Sequence, residues 1–235
     1  LPQYCTSALS AVSSYRNVKI GYALRESMHM LIRHATMEDL DAIEAVEAAC
    51  FPPAEAATNE SLTARVATYP EHFWLLINTD ADDDACFPAS VGDGTLVGFV
   101  NGMTTNEKDL ADVMYEDVSM HDEQGAWQMI FGVDVAPVYQ HRGCASYLLR
   151  RVILDSTIAG RKGIVLTCKE RLVGFYSRLG FMDEGMSAST HGNVAWHQMR
   201  LTLAHTTGEP NDSNASGDTD PDAITMEIPV VPLTD

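Results

Sequence analysis

The residues best suited to grip a ligand lie together between Ile130 and Ser146. An apolar, β-branched run, Ile130-Phe-Gly-Val-Asp-Val135, stops at Ala136-Pro137, and proline there reads as the exit of a strand. A polar turn containing Gln140, His141 and Arg142 leads to Gly143, and Cys144-Ala145-Ser146 then opens a segment carrying Tyr147, Leu148, Leu149, Val152 and Ile153. Apolar residues three and four apart predict a helix with one buried face. The order is therefore strand, turn, helix start. A helix start offers unpaired backbone N–H groups and the positive end of a dipole, which suit a phosphate or pyrophosphate. Gly143 permits close backbone approach, and Arg142 can add a charge-assisted contact. No Gly-Lys-Ser/Thr follows, so this is not the phosphate loop of the nucleotide-hydrolysing families.

A second block lies downstream: Leu166-Thr-Cys-Lys-Glu170 followed by Leu172-Val-Gly-Phe-Tyr-Ser-Arg-Leu-Gly-Phe181. The pattern Gln140-x-x-Gly143-x-Ala145 after Val135-Ala136-Pro137 resembles the acyl-CoA pyrophosphate loop of the GNAT superfamily of N-acetyltransferases. The Phe-Tyr-x-x-Leu-Gly-Phe block resembles that superfamily's second acetyl-CoA element. More narrowly, Cys50-Phe-Pro-Pro-Ala-Glu-Ala-Ala57 and Cys168-Lys-Glu-x-Leu-Val-x-Phe-Tyr176 resemble the arylalkylamine (serotonin-type) branch, over roughly residues 31–203.

The resemblance implies an α/β (α+β) fold: a mixed, mostly antiparallel central sheet of about seven strands, flanked by helices and splayed in a V between the strands at 127–135 and 163–168. It implies acetyl-CoA as cosubstrate, with pantetheine in the V against the backbone of Val133, Asp134 and Val135. Gln140, His141, Arg142, Gly143, Cys144, Ala145 and Ser146 would surround the pyrophosphate.

The implied reaction is direct acetyl transfer from the thioester to a small, arylalkyl primary amine. The amine must be neutral to attack, the oxyanion needs a donor, and the leaving thiolate needs a proton. Tyr176 matches the family's general acid. The serotonin-type enzymes of vertebrates carry two histidines on the central strand, where this chain has Met129 and Phe131. The base must come from elsewhere, or the proton leaves through ordered water. Glu55 lies where some insect members of the branch place an acid; Glu47 on the first helix and His121, His191 and His197 are further candidates. Phe51, Pro52, Met129 and Phe131 would form an apolar wall for the acceptor. Cys144, at a helix start that favours a thiolate, is assigned no nucleophilic role, since no acyl-enzyme is needed. Two other readings stand beside this one: acetylation of a protein N-terminus or lysine, and an acetyl-CoA-binding module without turnover.

The elements that must position these groups follow from pattern and punctuation. Leu31-Ile-Arg-His34 opens the domain, and Thr36-x-x-Asp39 is a capping box for a helix carrying Leu40, Ile43, Val46 and Cys50. Pro52 and Pro53 end it. Thr58 or Asn59 caps a second helix that stops before Pro70. Strands are predicted at 73–77, 95–100, 127–135, 163–168 and 194–203, the first two paired as a hairpin, with helices at 144–159 and 171–177. Residues 79–94 read as an acidic, solvated loop and 108–125 as an irregular acidic one.

Composition bounds the reading. The 235 residues carry 15 Lys and Arg against 33 Asp and Glu, a formal net charge of −18. That balance argues against nucleic acid or an anionic membrane as partner and favours a cationic substrate such as an amine. No apolar run approaches the roughly 20 residues that span a bilayer, and serines interrupt the start of the chain where a signal peptide would be apolar. Five scattered cysteines show no metal-ligand spacing, which leads us to expect no metal and free thiols in a reducing cytoplasm; a monomer or homodimer is expected separately. Residues 1–29 read as an N-terminal extension, with Met28 or Met30 as a natural start, 30–204 as the catalytic domain, and 205–235 as an acidic tail.

Overall fold

A computed structural model describes residues 29–80 and 89–203. The extension through residue 28, the centre of the acidic 79–94 loop and the tail from 204 onward lie outside the described residues. The strands are β1 (Met30–His34), β2 (Phe73–Asn78), β3 (Ser90–Val91), β4 (Gly94–Thr105), β5 (Trp127–Val135), β6 (Gly163–Cys168), β7 (Met182–Met186) and β8 (His197–Thr202). The helices are α1 (Leu40–Cys50), α2 (Asn59–Thr68), α3 (Cys144–Ile158) and α4 (Glu170–Ser177).

All eight strands belong to one sheet, ordered β1-β2-β4-β5-β6-β8-β7, with β3 paired to β4 at the side. About seven strands were expected; the two-residue β3 makes the eighth. Pairing is antiparallel except between β5 and β6, which run parallel with α3 as their crossover. The last strand spans His197–Thr202 rather than 194–203; residues 194–196 connect it to a short 3-10 turn over His191–Asn193. β7 was not anticipated. Its residues are exposed or half-exposed, and Met-Asp-Glu-Gly-Met carries no alternation to reveal a strand.

Local chemistry sets the helix starts. Both the backbone N–H and the hydroxyl of Thr36 donate to Asp39 Oδ2, at 2.8 and 2.9 Å, and a 3-10 turn over Met37–Asp39 feeds into α1. Thr58, not Asn59, caps α2: its hydroxyl accepts from the Ser61 N–H at 3.1 Å. Ile43 and Val46 of α1, and Leu148, Leu149 and Val152 of α3, are fully buried against the sheet.

One irregularity shapes the molecule. Asn101 of β4 pairs with Gly132 of β5, but Gly102 pairs with Ile130, so Phe131 is an extra residue. Such a bulge bends its strand and increases its twist. The parallel pairing of β5 with β6 ends at the same level, with Ile130 opposite Leu166. Beyond that point β5 runs on to Val135 and the two strands part. The expected V therefore has a local cause at Phe131.

The bulge also demands a residue without a side chain opposite it. A Cβ on Gly102 would collide with the carbonyl oxygen and carbon of Met129, both backbone atoms held in the sheet. Gly102→Ala is expected to cost about 3 kcal/mol, the upper end for overpacking, read as a lower midpoint in urea unfolding at unchanged m-value.

Candidate active site

The fork between β5 and β6 holds a cavity of about 390 Å³. Its floor comes from both strands: Ile130, Phe131, Gly132 and Val133 on one side, Leu166, Thr167 and Cys168 on the other. α1 and the loop after it supply Glu47, Phe51, Pro52 and Glu55, and α4 supplies Tyr176. Aromatic rings stack around it: Tyr115 lies 5.1 Å from Phe131 and 4.9 Å from His191 between centroids, and the indole N–H of Trp196 donates to the His191 carbonyl at 2.9 Å.

Two carboxylates reach this space in different states. Glu55 is ion-paired with Lys169 at 2.8 Å and its side chain is 7% exposed, so it is not a free loop carboxylate. Glu47 is 5% exposed; its Oε1 accepts from the Ala57 N–H at 2.7 Å, which ties the 51–58 loop to α1. Its Oε2 is buried and has no hydrogen-bond partner. Burial pushes the Glu47 carboxyl above its ordinary value, against the lowering effects of the Ala57 N–H, Arg65 and His191. Arg65 is itself buried, donating to Asn101 Oδ1 at 3.2 Å and the Tyr115 carbonyl at 2.6 Å, with its guanidinium 4.8 Å from the Phe131 ring centroid.

The Gly143 turn lies outside the cavity lining, past the end of β5. His141 and Gly143 both have left-handed backbone, at φ 60° and 85°, and no side chain caps the start of α3. Alternating backbone hands of this kind turn successive N–H groups toward one point. The Gln140 amide donates to the Val135 carbonyl at 3.0 Å, and that oxygen also accepts from Cys50 Sγ at 3.2 Å. Gln140 thus shapes the turn by bracing the strand's end.

A family model described as Acetyltransferase (GNAT) family matches residues 40–181. The chain belongs to this family. Among curated relatives, the serotonin N-acetyltransferase of Mesocricetus auratus is 29% identical over 113 residues, covering 47% of this chain and 53% of that protein. The chain thus spans about half the length of that relative. Among solved structures, the loading GNATL domain of CurA from Lyngbya majuscula shares 16% identity at a TM-score of 0.59, covering 74% of this chain and 98% of that one. Arabidopsis thaliana NAA60 in complex with acetyl-CoA shares 18% at 0.53, covering 74% and 99%. At such identities the structural likeness establishes the GNAT fold.

Within this GNAT domain the residues picked from sequence fall into separate groups. Phe51, Pro52, Glu55, Phe131, Val133 and Tyr176 line the cavity, as does Glu47. Met129 does not: it is fully buried in a second core cluster with Tyr69, Met103, Leu110, Met114 and Val165. Met129 is still paired with Val165 of β6, whereas Phe131 packs against the same cluster but lies past the last β5–β6 pair and reaches the cavity. Asp134 is fully buried, and burial, then the nearby Glu47, raises its carboxyl well above the ordinary range against the lowering effects of Cys50 and Arg65. Of the candidate histidines, only His191 lines the cavity. Its Nε2 lies 3.0 Å from the Glu55 carbonyl and therefore donates. His197 lies 3.1 Å from Asp183, and His121 packs elsewhere, against Tyr69 and His72.

Cys144 corrects an expectation. The helix start was expected to favour its thiolate, but the residue is 8% exposed and burial raises its thiol, with Arg142 only partly offsetting this. Sequence reasoning missed Arg65, Tyr115, Lys169 and Trp196 as lining residues. Arg65, Tyr115 and Trp196 come from segments outside the quoted motifs, and Lys169 lies inside one but was given no role.

Proposed function

We propose that this chain moves the acetyl group of acetyl-CoA directly to a small arylalkyl primary amine. The observation that carries the reading is the aromatic-walled cavity at the β5–β6 fork, where the Glu47 carboxylate has one oxygen without a partner and Tyr176 lines the same space. Acetyl-CoA supplies an acyl group already activated as a thioester. The left-handed turn at His141–Gly143 and the open start of α3 support binding of its pyrophosphate, and the unpaired edge of β5 beyond Ile130 supports binding of its pantetheine arm.

Phe51, Pro52, Tyr115, Phe131 and Trp196 would pack against an aryl ring, and the carboxylates of the cavity would attract its ammonium group. Glu47 takes the ammonium proton, directly or through one water, and leaves a nitrogen lone pair free to attack the thioester carbon. Backbone N–H groups at the bulged, unpaired edge of β5 meet the oxyanion. As the C–S bond breaks, Tyr176 gives its phenol proton to the leaving sulfur, and the second proton shed by the acylated nitrogen restores the phenol through water. Burial, with Cys168 and Asp134 nearby, raises the Tyr176 phenol and keeps it protonated at neutral pH. Glu55, held by Lys169, shapes the loop in this scheme rather than carrying the proton. The thiols of Cys50, Cys144 and Cys168 are unpaired, which supports a reducing, cytoplasmic setting.

The substrate class is tested by kcat/KM for tryptamine and phenylethylamine beside spermidine and an N-terminal peptide. The aryl amines are expected to lead by about 100-fold, a difference of about 2.7 kcal/mol. A peptide preferred over both aryl amines would instead assign the cavity to protein N-termini.

A further inference from the structure

We propose a second site, for a divalent transition-metal ion such as Zn²⁺, built by His72, His121 and Glu123 at the far end of β5 from the Gly143 turn. His72 closes a short turn before β2, while His121 and Glu123 lie in the loop that enters β5. One ligand atom from each of the three lies within 4.8 Å of the others. Glu123 Oε2 is 3.1 Å from His72 Nε2 and 3.3 Å from His121 Nε2. Donors bound to tetrahedral zinc at about 2.0–2.1 Å stand roughly 3.3 Å apart, so these separations match the edges of such a polyhedron. Two histidines and a glutamate are also a known zinc donor set.

The hydrogen bonds behind the ligands point the same way. The Gln128 amide nitrogen donates to the carbonyls of Met103 and Met129, at 3.1 and 2.9 Å, which fixes its oxygen toward His72. That oxygen lies 2.8 Å from His72 Nδ1, so Nδ1 carries the hydrogen and Nε2 is the nitrogen turned toward Glu123. A histidine braced at Nδ1 by an acceptor and open at Nε2 has the arrangement found behind metal-bound imidazoles. Arg161 Nη2 holds the other Glu123 oxygen at 3.2 Å, aiming Oε2 at the pair. On the other side, the Thr104 N–H lies 3.4 Å from His121 Nδ1, and binding at Nε2 gives up this long contact.

A cavity of about 210 Å³ borders the cluster, lined by His72 and Glu123 and also by Ser156, His34 and Arg161. Ser156 is 3% exposed, and its hydroxyl and His34 Nδ1 are buried without partners. A fourth coordination position facing this polar chamber would take water or a small anion, and both orphaned groups could bond to it. The ion would pin the loop that precedes β5 to the turn before β2, and the chain's net charge of −18 favours its arrival. Sequence spacing hides the site, because His72 and His121 stand far apart along the chain.

The same groups could instead be held by hydrogen bonds alone, with Glu123 bridging His72, His121 and Arg161. The test is a calorimetric Zn²⁺ titration of the chelator-stripped full chain, beside Glu123→Gln and His121→Gln, with Co²⁺ absorption as a report of coordination. His72 is buried and tied to Gln128, so the variants are placed on its two less buried partners. We expect a single Zn²⁺ per chain, visible Co²⁺ bands of low coordination number, and a loss of about 100-fold in affinity in each variant. Absence of saturable Zn²⁺ binding, or binding equally tight in wild type and both variants, would overturn the assignment.

Discussion

Glu47→Gln is expected to lower kcat/KM for an aryl amine by about 10²–10³-fold, within the roughly 10²–10⁴-fold that a general base contributes. Glu47 is the lining carboxylate that combines near-complete burial, one oxygen fixed by the Ala57 N–H and one buried oxygen with no hydrogen-bond partner. The variant keeps an acceptor for Ala57, so the 51–58 loop keeps its anchor while the proton acceptor is lost. In the proposed scheme Glu47 acts as carboxylate, and burial raises the pH at which that form appears. The acid limb of kcat/KM should therefore rise through a pKa above the ordinary carboxylate range in wild type, and this limb should vanish in Glu47→Gln. Glu55→Gln breaks the pair with Lys169 and is expected to change KM more than kcat. If Glu55→Gln removes the acid limb and Glu47→Gln leaves it, the two roles are exchanged.

The same raised groups set a sign for stability. Glu47 and Asp134 hold their protons more tightly folded than unfolded, so their contribution is present below the ordinary carboxylate pKa and is lost as pH rises through the folded values. Asp134→Asn, which leaves no proton to lose, should flatten the fall in stability as pH rises above the ordinary carboxylate range, read as the change in Tm across that rise.

Tyr176→Phe is expected to lower kcat by about 10²-fold with little change in KM for acetyl-CoA. The ring is buried, with Phe175 and Phe181 at centroid distances of 5.0 and 5.8 Å, and phenylalanine retains those contacts. Stability should change little, and the thiolate must then leave without its acid. An acceptor-independent test is the leaving-group dependence: a thioester with a less basic thiol should recover most of the lost rate. Equal losses for both thioesters would make Tyr176 a packing residue.

Most of what positions the site is written locally. Proline after Val135, glycine at 143 and the three-and-four spacing of α3 each follow from the needs of one turn or one helix face, so the strand-turn-helix unit is legible in the chain's own residues. The Phe131 bulge is not, because it exists only in the register between β4 and β5. Met129 packs in the same cluster as Phe131, and only the point where β6 parts from β5 decides which of the two reaches the cavity. Glu55 drew attention by its loop, yet its partner Lys169 is contributed by the far end of β6's exit, and only the fold brings them to 2.8 Å. Glu47 reads as an ordinary helix position until the Ala57 N–H and the wall of the cavity enclose it.

The most direct test of the central claim is mass spectrometry of the products when the full chain is mixed with acetyl-CoA and tryptamine. The account predicts N-acetyltryptamine formed in step with free CoA, and a large reduction of both in Glu47→Gln and Tyr176→Phe. Acetyl-CoA that binds and remains intact, or CoA released with no acetyl group on the amine, would contradict it.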